Sequence, residues 1–289
     1  MERICDLHTH SYYSDGTFSP AQLLVAAENA GLSALVLSDH NTVAGLPDFL
    51  TAAESSSVEA VPGIEFSTDY QGTELHMLGL FLPRESFPAI TALMEEGQRR
   101  KEESNIALVN ALRQAGLEIC YEEIKAATRN GFVNRAHIAA ALTEKGYTES
   151  RKDAFKRYLS PSAGFYKPPQ RLTAFDAIRF IKSIGAVAVL AHPFLSLDED
   201  ELRAFLDQAV SCGLDGMEVL YPLFDAYQTA CAAAIAKEYN LLPSGGSDFH
   251  GDNKPDIQIG TGKGTLSVPL DYLEALRQRA ERKLRENVK

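Results

Sequence analysis

The sequence predicts an α/β fold built on a mostly parallel sheet, either open or closed into a barrel. Short apolar runs alternate with amphipathic stretches along the chain, which is typical of strands connected by helices. Cap signals stand between them: Ser19 and Pro20, for example, are typical of a helix N-cap and the first helical position. With 289 residues, 45% of them hydrophobic, the chain is long enough for one barrel-sized core with an insertion.

The individual elements follow from these signals in chain order. Gln71-Gly72 separates two strand-like runs and indicates a hairpin. Strands are expected at residues 4–7, 34–38, 59–66, 73–81, 186–190, 216–219 and 241–242, and helices from Ser19 to near Gly31, up to about Glu54, and at 272–285.

Between residues 99 and 169 the pattern changes to helices alone. Amphipathic segments cover residues 104–114, 135–145 and 151–159, and lysine and arginine are denser here. We therefore predict a barrel domain at 1–98 and 170–289, and a helical insertion at 99–169 that forms part of a substrate pocket. The alternative is a set of ordinary barrel helices with solvated basic faces.

Composition argues against several classes of protein. The 23% of charged residues and the mean hydropathy of −0.15 favour neither disorder nor a membrane protein. Apolar runs are shorter than the roughly 20 residues that cross a bilayer, and no export signal is recognised. Four widely spaced cysteines favour reduced packing residues, so a cytoplasmic location is expected. The net charge of −11 favours a small substrate over long nucleic acids.

Histidines are concentrated at the predicted strand ends. Of seven in the chain, five follow or end an apolar run, and His76 lies within a strand-like run. The carboxyl ends of parallel strands converge on one face, so these side chains should meet there. His8 and His10 are two residues apart on an extended chain and point to the same side, as do Asp248 and His250. Neutral imidazoles have little reason to cluster unless a cation holds them together.

Carboxylates at Asp15 and Glu65 complete a candidate ligand set. Its nine members are His8, His10, Asp15, His40, Glu65, His76, His192, Asp248 and His250. Nine ligands are too many for one ion and suit two or three divalent ions that share a bridging carboxylate. The mixed nitrogen and oxygen shell favours Zn²⁺, Mn²⁺ or Fe²⁺ over Mg²⁺ or Ca²⁺. Taken singly, His76 fits a core histidine, Asp15 a turn residue and Glu65 a surface residue, but their joint placement favours a metal cluster.

Six short motifs run in order from residue 6 to residue 250. They are Asp6-Leu7-His8-Thr9-His10-Ser11, Ser14-Asp15-Gly16, Leu37-Ser38-Asp39-His40-Asn41, Pro62-Gly63-Ile64-Glu65, Ala191-His192-Pro193 and Gly246-Ser247-Asp248-Phe249-His250. This series resembles that of the PHP (polymerase and histidinol phosphatase) family. The resemblance implies a distorted (β/α)7 barrel with a site for two or three metal ions at the carboxyl ends of the strands.

The resemblance also implies three ion positions. One ion would be bound by His8, His10, Glu65 and Asp248; a second by Asp15, His40 and His250; and a third by Glu65, His76 and His192. Many relatives have histidine where Asp15 stands. The extra carboxylate is expected to weaken binding of that ion or to shift its preference toward Mn²⁺.

The order of the motifs and the helical insertion resemble the branch that hydrolyses nucleoside 3′,5′-bisphosphates and short RNA 5′ ends. In Asn134-Arg135-Ala136-His137, Arg135 can bind a phosphate through two parallel hydrogen bonds, and His137 can donate beside it. Lys167 is a further candidate for substrate binding. Alternatively, Arg135 and His137 cap their helix and face water.

The expected chemistry is hydrolysis of a phosphate monoester of a small nucleotide by a hydroxide that bridges two metal ions. Asp39 is expected to orient an imidazole, and no separate general acid is assigned. The alternatives are a 5′–3′ exonuclease on short RNA or DNA oligomers, a histidinol phosphatase, a noncatalytic metal-binding module and, remotely, a carboxypeptidase-like hydrolase. Membrane association is not expected, and the sequence implies no protein partner.

Overall fold

A computed structural model describes residues 3–128 and 133–287 of the chain. Its strands are β1 (Ile4–Asp6), β2 (Ala34–Leu37), β3 (Glu59–Tyr70), β4 (Thr73–Leu80), β5 (Val187–Leu190), β6 (Gly216–Leu220), β7 (Leu242–Gly245) and β8 (Val268–Pro269). Its helices are α1 (Pro20–Asn29), α2 (Leu46–Ala52), α3 (Phe87–Gln114), α4 (Tyr121–Ala126), α5 (Arg135–Glu144), α6 (Arg151–Ala154), α7 (Ala174–Ser183), α8 (Glu199–Cys212), α9 (Ala226–Glu238) and α10 (Leu270–Asn287).

The described strands form one sheet in the order β7-β6-β5-β4-β3-β2-β1-β8. β1, β2 and β3 are parallel, as are β5, β6 and β7, whereas β4 runs antiparallel to both of its neighbours. The predicted hairpin across Gln71-Gly72 is therefore confirmed, and it is the irregular part of an otherwise parallel arrangement. The short β8, which the sequence analysis missed, pairs antiparallel with β1.

The sheet closes into a barrel where β1 meets β7. Leu7 N donates to Gly245 O at 3.2 Å, Asp248 N donates to His8 O at 2.8 Å, and Thr9 forms a parallel bridge beyond the strand ends. The predicted α/β barrel is thereby confirmed, with closure at the carboxyl ends of the strands. That edge is where a barrel places its functional residues.

Local signals explain the helices and strands around this closure. Ser19 and Gln22 form a capping box, with Ser19 Oγ accepting from Gln22 N at 3.1 Å, so α1 begins as predicted. β2 and β5 are buried at every residue, as expected for strands covered on both faces. The final helix, predicted at 272–285, buries Leu273 and Leu276 in the same apolar core.

Contacts among the described residues divide the chain into two units, 1–91 with 172–289, and 92–171. The second unit is helical and has its own apolar core, to which Leu112, Ile138 and Leu142 contribute. The segment predicted as one helix at 151–159 is α6 followed by a π-helical turn at Phe155–Leu159. Among the described residues no helix combines the length and apolarity that a membrane span requires.

Gly246 provides a test of the barrel closure. A Cβ on this residue would lie 2.4 Å from His8 Cβ and 2.5 Å from His8 N. We expect Gly246→Ala to lower the free energy of unfolding by about 1–3 kcal/mol, as overpacking does. Gly97→Ala is the matched control: Gly97 lies exposed in α3, a Cβ there would meet no neighbouring side chain within 4 Å, and the change should raise stability by roughly 0.5–1 kcal/mol. Denaturant titration measures both, and equal stabilities would contradict this account of the closure.

Candidate metal centre

The candidate ligands lie at the ends of successive strands in the sequence, and hydrogen bonds to neighbouring strands orient their side chains. Thr9 Oγ1 donates to Val36 O at 2.6 Å, so the residue between the two histidines faces the neighbouring strand. His8 and His10 therefore turn to the opposite side, and both are fully buried. The predicted alternation of side chains after β1 is confirmed.

Glu65, in β3, lies at the centre of the predicted residues. It is buried, and its carboxylate oxygens lie within 3.3 Å of ring nitrogens of five histidines: His8, His10 and His40 at Oε2, and His76 and His192 at Oε1. One carboxylate thus connects histidines that follow or lie in four different strands.

The first group of donor atoms surrounds one point. His8 Nε2 and His10 Nε2 lie 3.2 and 3.3 Å from Glu65 Oε2, and 3.6 and 3.2 Å from Asp248 Oδ1. Ligands about 2.0–2.2 Å from a tetrahedral ion are separated by roughly 3.3–3.6 Å. The spacing of this group therefore suits a divalent metal ion.

A second group lies on the other side of His10. Asp15 Oδ1 is 3.1 Å from His250 Nε2, and Asp15 Oδ2 is 3.9 Å from His40 Nε2. His10 also belongs to this group, since one donor atom from each of the four residues lies within 4.8 Å of the others. The Asp15 side chain is 56% exposed, so this group is open to solvent.

The third group shares Glu65. His76 Nδ1 and His192 Nε2 lie 2.8 and 3.1 Å from Glu65 Oε1. One ligand atom each of His40, Glu65 and His76 also lie within 4.8 Å of one another. The structure thus brings together all nine residues that the sequence singled out.

Unpartnered atoms show that this cluster fits metal ions. Within the described part of the chain, five of its buried atoms lack a hydrogen-bond partner: His8 Nε2, His10 Nδ1, His10 Nε2, His40 Nδ1 and Glu65 Oε2. Each buried polar atom without a partner costs about 1–3 kcal/mol. Nitrogen and oxygen lone pairs that converge in this way are the donor set of a Zn²⁺, Mn²⁺ or Fe²⁺ site.

The electrostatics of the cluster agree with this fit. Burial raises the pKa of Glu65, but the charge of His8 and hydrogen bonds from other histidines outweigh it and hold the pKa well below its usual value. Burial lowers the pKa of His8, yet the charges of Glu65, Glu218 and Asp248 bring it well above the usual value. Positive charge therefore stabilises the buried carboxylates, and either protons on the histidines or metal ions can supply it.

The comparison with protein families decides the identity of this cluster. The family model described as "PHP domain" matches residues 6–166 of the sequence, more than half of the chain. The chain belongs to the PHP domain family. Its PHP motifs His192, Asp248 and His250 lie beyond the matched segment, but the relatives below extend over most of the chain.

Three curated relatives are named for different activities on phosphate esters. The chain is 33% identical to a 5′–3′ exoribonuclease of Haemophilus influenzae, over 86% of this chain and 91% of the relative. It is 34% identical to phosphoribosyl 1,2-cyclic phosphate 1,2-diphosphodiesterase of Eggerthella lenta, over 85% and 94%. It is 27% identical to 3′,5′-nucleoside bisphosphate phosphatase of Chromobacterium violaceum, over 88% and 90%.

A solved PHP-like structure supports the fold. A candidate metal-dependent phosphoesterase from Bifidobacterium adolescentis is 28% identical, with a TM-score of 0.65 and 96% of both chains covered. The predictions of a PHP fold and of a hydrolase of the phosphoesterase class are thereby confirmed. A cluster of histidine, aspartate and glutamate side chains suited to metal ions accompanies them.

Glu218 is a residue of the PHP site that the sequence analysis did not identify. It lies buried in β6; its Oε1 is 3.0 Å from His8 Nδ1, and its Oε2 accepts from His192 N at 2.6 Å. A carboxylate on one ring nitrogen directs the other toward a metal and fixes the tautomer. A glutamate within the apolar run Gly216-Met217-Glu218-Val219 was the available signal.

The expectation that Asp39 orients an imidazole is wrong. Its carboxylate accepts from Ser11 N at 2.8 Å, from Ser11 Oγ at 2.6 Å and from Ser14 Oγ at 2.7 Å. Asp39 therefore anchors the loop that carries Asp15, and among the described residues no histidine ring is hydrogen-bonded to it. Glu218 has the orienting role instead.

The three substrate-binding candidates lie in the helical unit. Arg135 Nη1 donates to Leu159 O at 3.1 Å, and its guanidinium lies 4.4 Å from the centre of the Tyr166 ring. His137 Nδ1 accepts from Asn134 N at 3.2 Å, so this side chain does cap its helix. Lys167 is exposed, and its carbonyl accepts from a serine. Substrate binding by these residues stays a prediction.

The role of Glu218 can be tested by a substitution that keeps its shape. We expect Glu218→Gln to fold but to bind Mn²⁺ or Zn²⁺ roughly 10- to 100-fold more weakly, because the charge that orients His8 is lost. Calorimetric metal titration measures this. Glu238→Gln, an exposed glutamate of α9, is the matched control; equal metal affinities of the two variants would argue against an orienting role.

Proposed function

We propose that this protein hydrolyses a phosphate monoester of a small nucleotide, such as a nucleoside 3′,5′-bisphosphate, with two or three ions of Mn²⁺, Zn²⁺ or Fe²⁺. The observation that carries the proposal is Glu65, which is buried among five histidines. Ring nitrogens of three of them, His8, His10 and His40, lie beside it without a hydrogen-bond partner. The ions would be held by His8, His10, Asp15, His40, Glu65, His76, His192, Asp248 and His250.

Divalent ions in such a cluster supply a hydroxide at neutral pH and neutralise charge on phosphoryl oxygens. The chain's own residues prepare the place for this chemistry. Glu65 presents Oε2 to the first group and Oε1 to the third, so one rigid side chain sets their separation. The exposed side of Asp15 leaves the second group accessible to a substrate.

The second phosphate of the substrate is assigned to Arg135, with His137 and Lys167 as further candidate contacts. Only Nη1 of Arg135 has a hydrogen-bond partner among the described residues, so its other N–H groups can bind a phosphate. Stacking on Tyr166 fixes the plane of the guanidinium before a ligand arrives. The relative from Chromobacterium violaceum, a nucleoside bisphosphate phosphatase by name, supports a substrate with two phosphates.

A 5′–3′ exonuclease acting on short oligonucleotides is the second candidate. The relative from Haemophilus influenzae, an exoribonuclease by name, shares 33% identity over most of both chains. The same metal cluster serves either reaction, because an RNA end and a nucleoside bisphosphate present the same pair of ester oxygens.

A substrate panel distinguishes these activities. With Mn²⁺ present, we expect kcat/KM to be highest for adenosine 3′,5′-bisphosphate, compared with AMP, a 5′-phosphorylated trinucleotide, histidinol phosphate and phosphoribosyl 1,2-cyclic phosphate. Preference for the trinucleotide would establish the exonuclease, and preference for either of the last two would reject the nucleotide proposal. Arg135→Ala should raise KM for the bisphosphate roughly 10- to 100-fold and leave KM for AMP nearly unchanged.

Metal dependence is tested at Glu65. We expect Glu65→Gln to lower the number of bound ions per chain, measured by elemental analysis, because the carboxylate shared by the first and third groups is lost. Its kcat/KM should fall by more than the roughly 10- to 100-fold expected for an orienting residue. Chelation of the wild type should abolish activity and Mn²⁺ should restore it. Full activity of metal-free protein would contradict the proposed chemistry.

A further inference from the structure

A cavity of about 260 Å³ lies beside the metal cluster, in the barrel unit. It reaches Asp248, and its lining includes the side chain of Lys254. Lys254 Nζ donates to Asp248 Oδ2 at 2.7 Å, while the other oxygen of Asp248 faces the first group of candidate ligands. The lysine therefore lies one carboxylate away from the cluster.

A lysine in this position needs an explanation, because positive charge nearby weakens the binding of divalent cations. In the part of the chain that the structure describes, Lys254 is the one lysine or arginine in an ion pair with a carboxylate of the nine-residue cluster. Lys254 is not needed merely to orient Asp248, because the Tyr221 hydroxyl also donates to Asp248 Oδ2, at 2.8 Å.

We infer that Lys254 contacts the phosphoryl group of the substrate and that the adjoining cavity receives the leaving group. The inference rests on the proposed phosphoesterase function and names the residues that recognise its substrate. An ammonium has three N–H donors, of which Asp248 uses one, and the Lys254 side chain is 40% exposed. The remaining donors can form charge-assisted hydrogen bonds to phosphoryl oxygens and stabilise their negative charge.

The walls of the cavity fit an organic leaving group. The lining includes the apolar side chains of Leu223, Pro255 and Ile257. Small-molecule sites combine such apolar surface with a few polar groups that fix orientation. A ribose or a base attached to the phosphate can pack on this apolar surface, and Asp256 and Lys263, which also line the cavity, can hydrogen-bond its polar groups.

Two variants at one carboxylate oxygen separate substrate contact from positioning. Lys254→Met and Tyr221→Phe each remove one donor to Asp248 Oδ2. Calorimetry would measure the affinity for Mn²⁺, and then the affinity of the Mn²⁺-loaded protein for inorganic phosphate at saturating Mn²⁺. We expect Lys254→Met to bind phosphate roughly 10- to 100-fold more weakly without loss of Mn²⁺ affinity, and Lys254→Arg to retain most phosphate binding. Tyr221→Phe should weaken Mn²⁺ binding roughly 10-fold with little change in phosphate binding.

Equal losses of phosphate affinity in Lys254→Met and Tyr221→Phe would show that Lys254 only positions Asp248, which would overturn the inference. Unchanged phosphate affinity in Lys254→Met would also overturn it. Lys237→Met, at an exposed position of α9, controls for the loss of one positive charge, and thermal melting reports folding. These titrations require no turnover. A protein that binds phosphate through Lys254 but cleaves no nucleotide would therefore retain this inference and reject the proposed substrate.

Discussion

The burial of one carboxylate, that of Glu65, is the constraint on which the rest of the site depends. A buried carboxylate destabilises a fold unless hydrogen bonds or opposite charge offset the loss of hydration. The backbone of Glu65 is held by the segment that follows β2, since Glu65 N donates to Asp39 O at 3.2 Å and Asn41 N donates to Glu65 O at 2.8 Å. A slip of one residue in the register of β3 would turn this side chain to the other face of the sheet. The five histidines could not then share it.

Other buried carboxylates keep the cluster rigid from outside. Asp6, Asp39 and Glu218 each accept at least two hydrogen bonds from loops or rings at the barrel mouth. Preorganised donors need little rearrangement when charge develops during a reaction. The backbone is also strained within the cluster, with φ of 27° at His192 and 54° at Asp248, a region that costs energy for residues other than glycine.

Charge explains how an acidic protein can accept a phosphate ester. A net charge of −11 and the carboxylates of the cluster would repel such a substrate. Divalent ions bound by the cluster would reverse the local field, because they would be the largest charges in the site. Asp15 places the second donor group where solvent reaches it, and Lys254 adds a fixed positive charge beside Asp248.

Sequence and tertiary structure determined different parts of this protein. Apolar periodicity, the Ser19 cap and histidines at strand ends depend on residues a few positions apart, so the sequence alone predicted the main elements, their order and the nine candidate ligands. It did not assign roles to Glu218 or Lys254. The apolar run around Glu218 signals a buried carboxylate but not its partner, and that partner is known only once the sheet closes and brings Glu218 to within 3.0 Å of His8, 210 positions away. Which atoms meet was decided by the tertiary structure, because such contacts depend on strand register and barrel closure rather than on neighbouring residues.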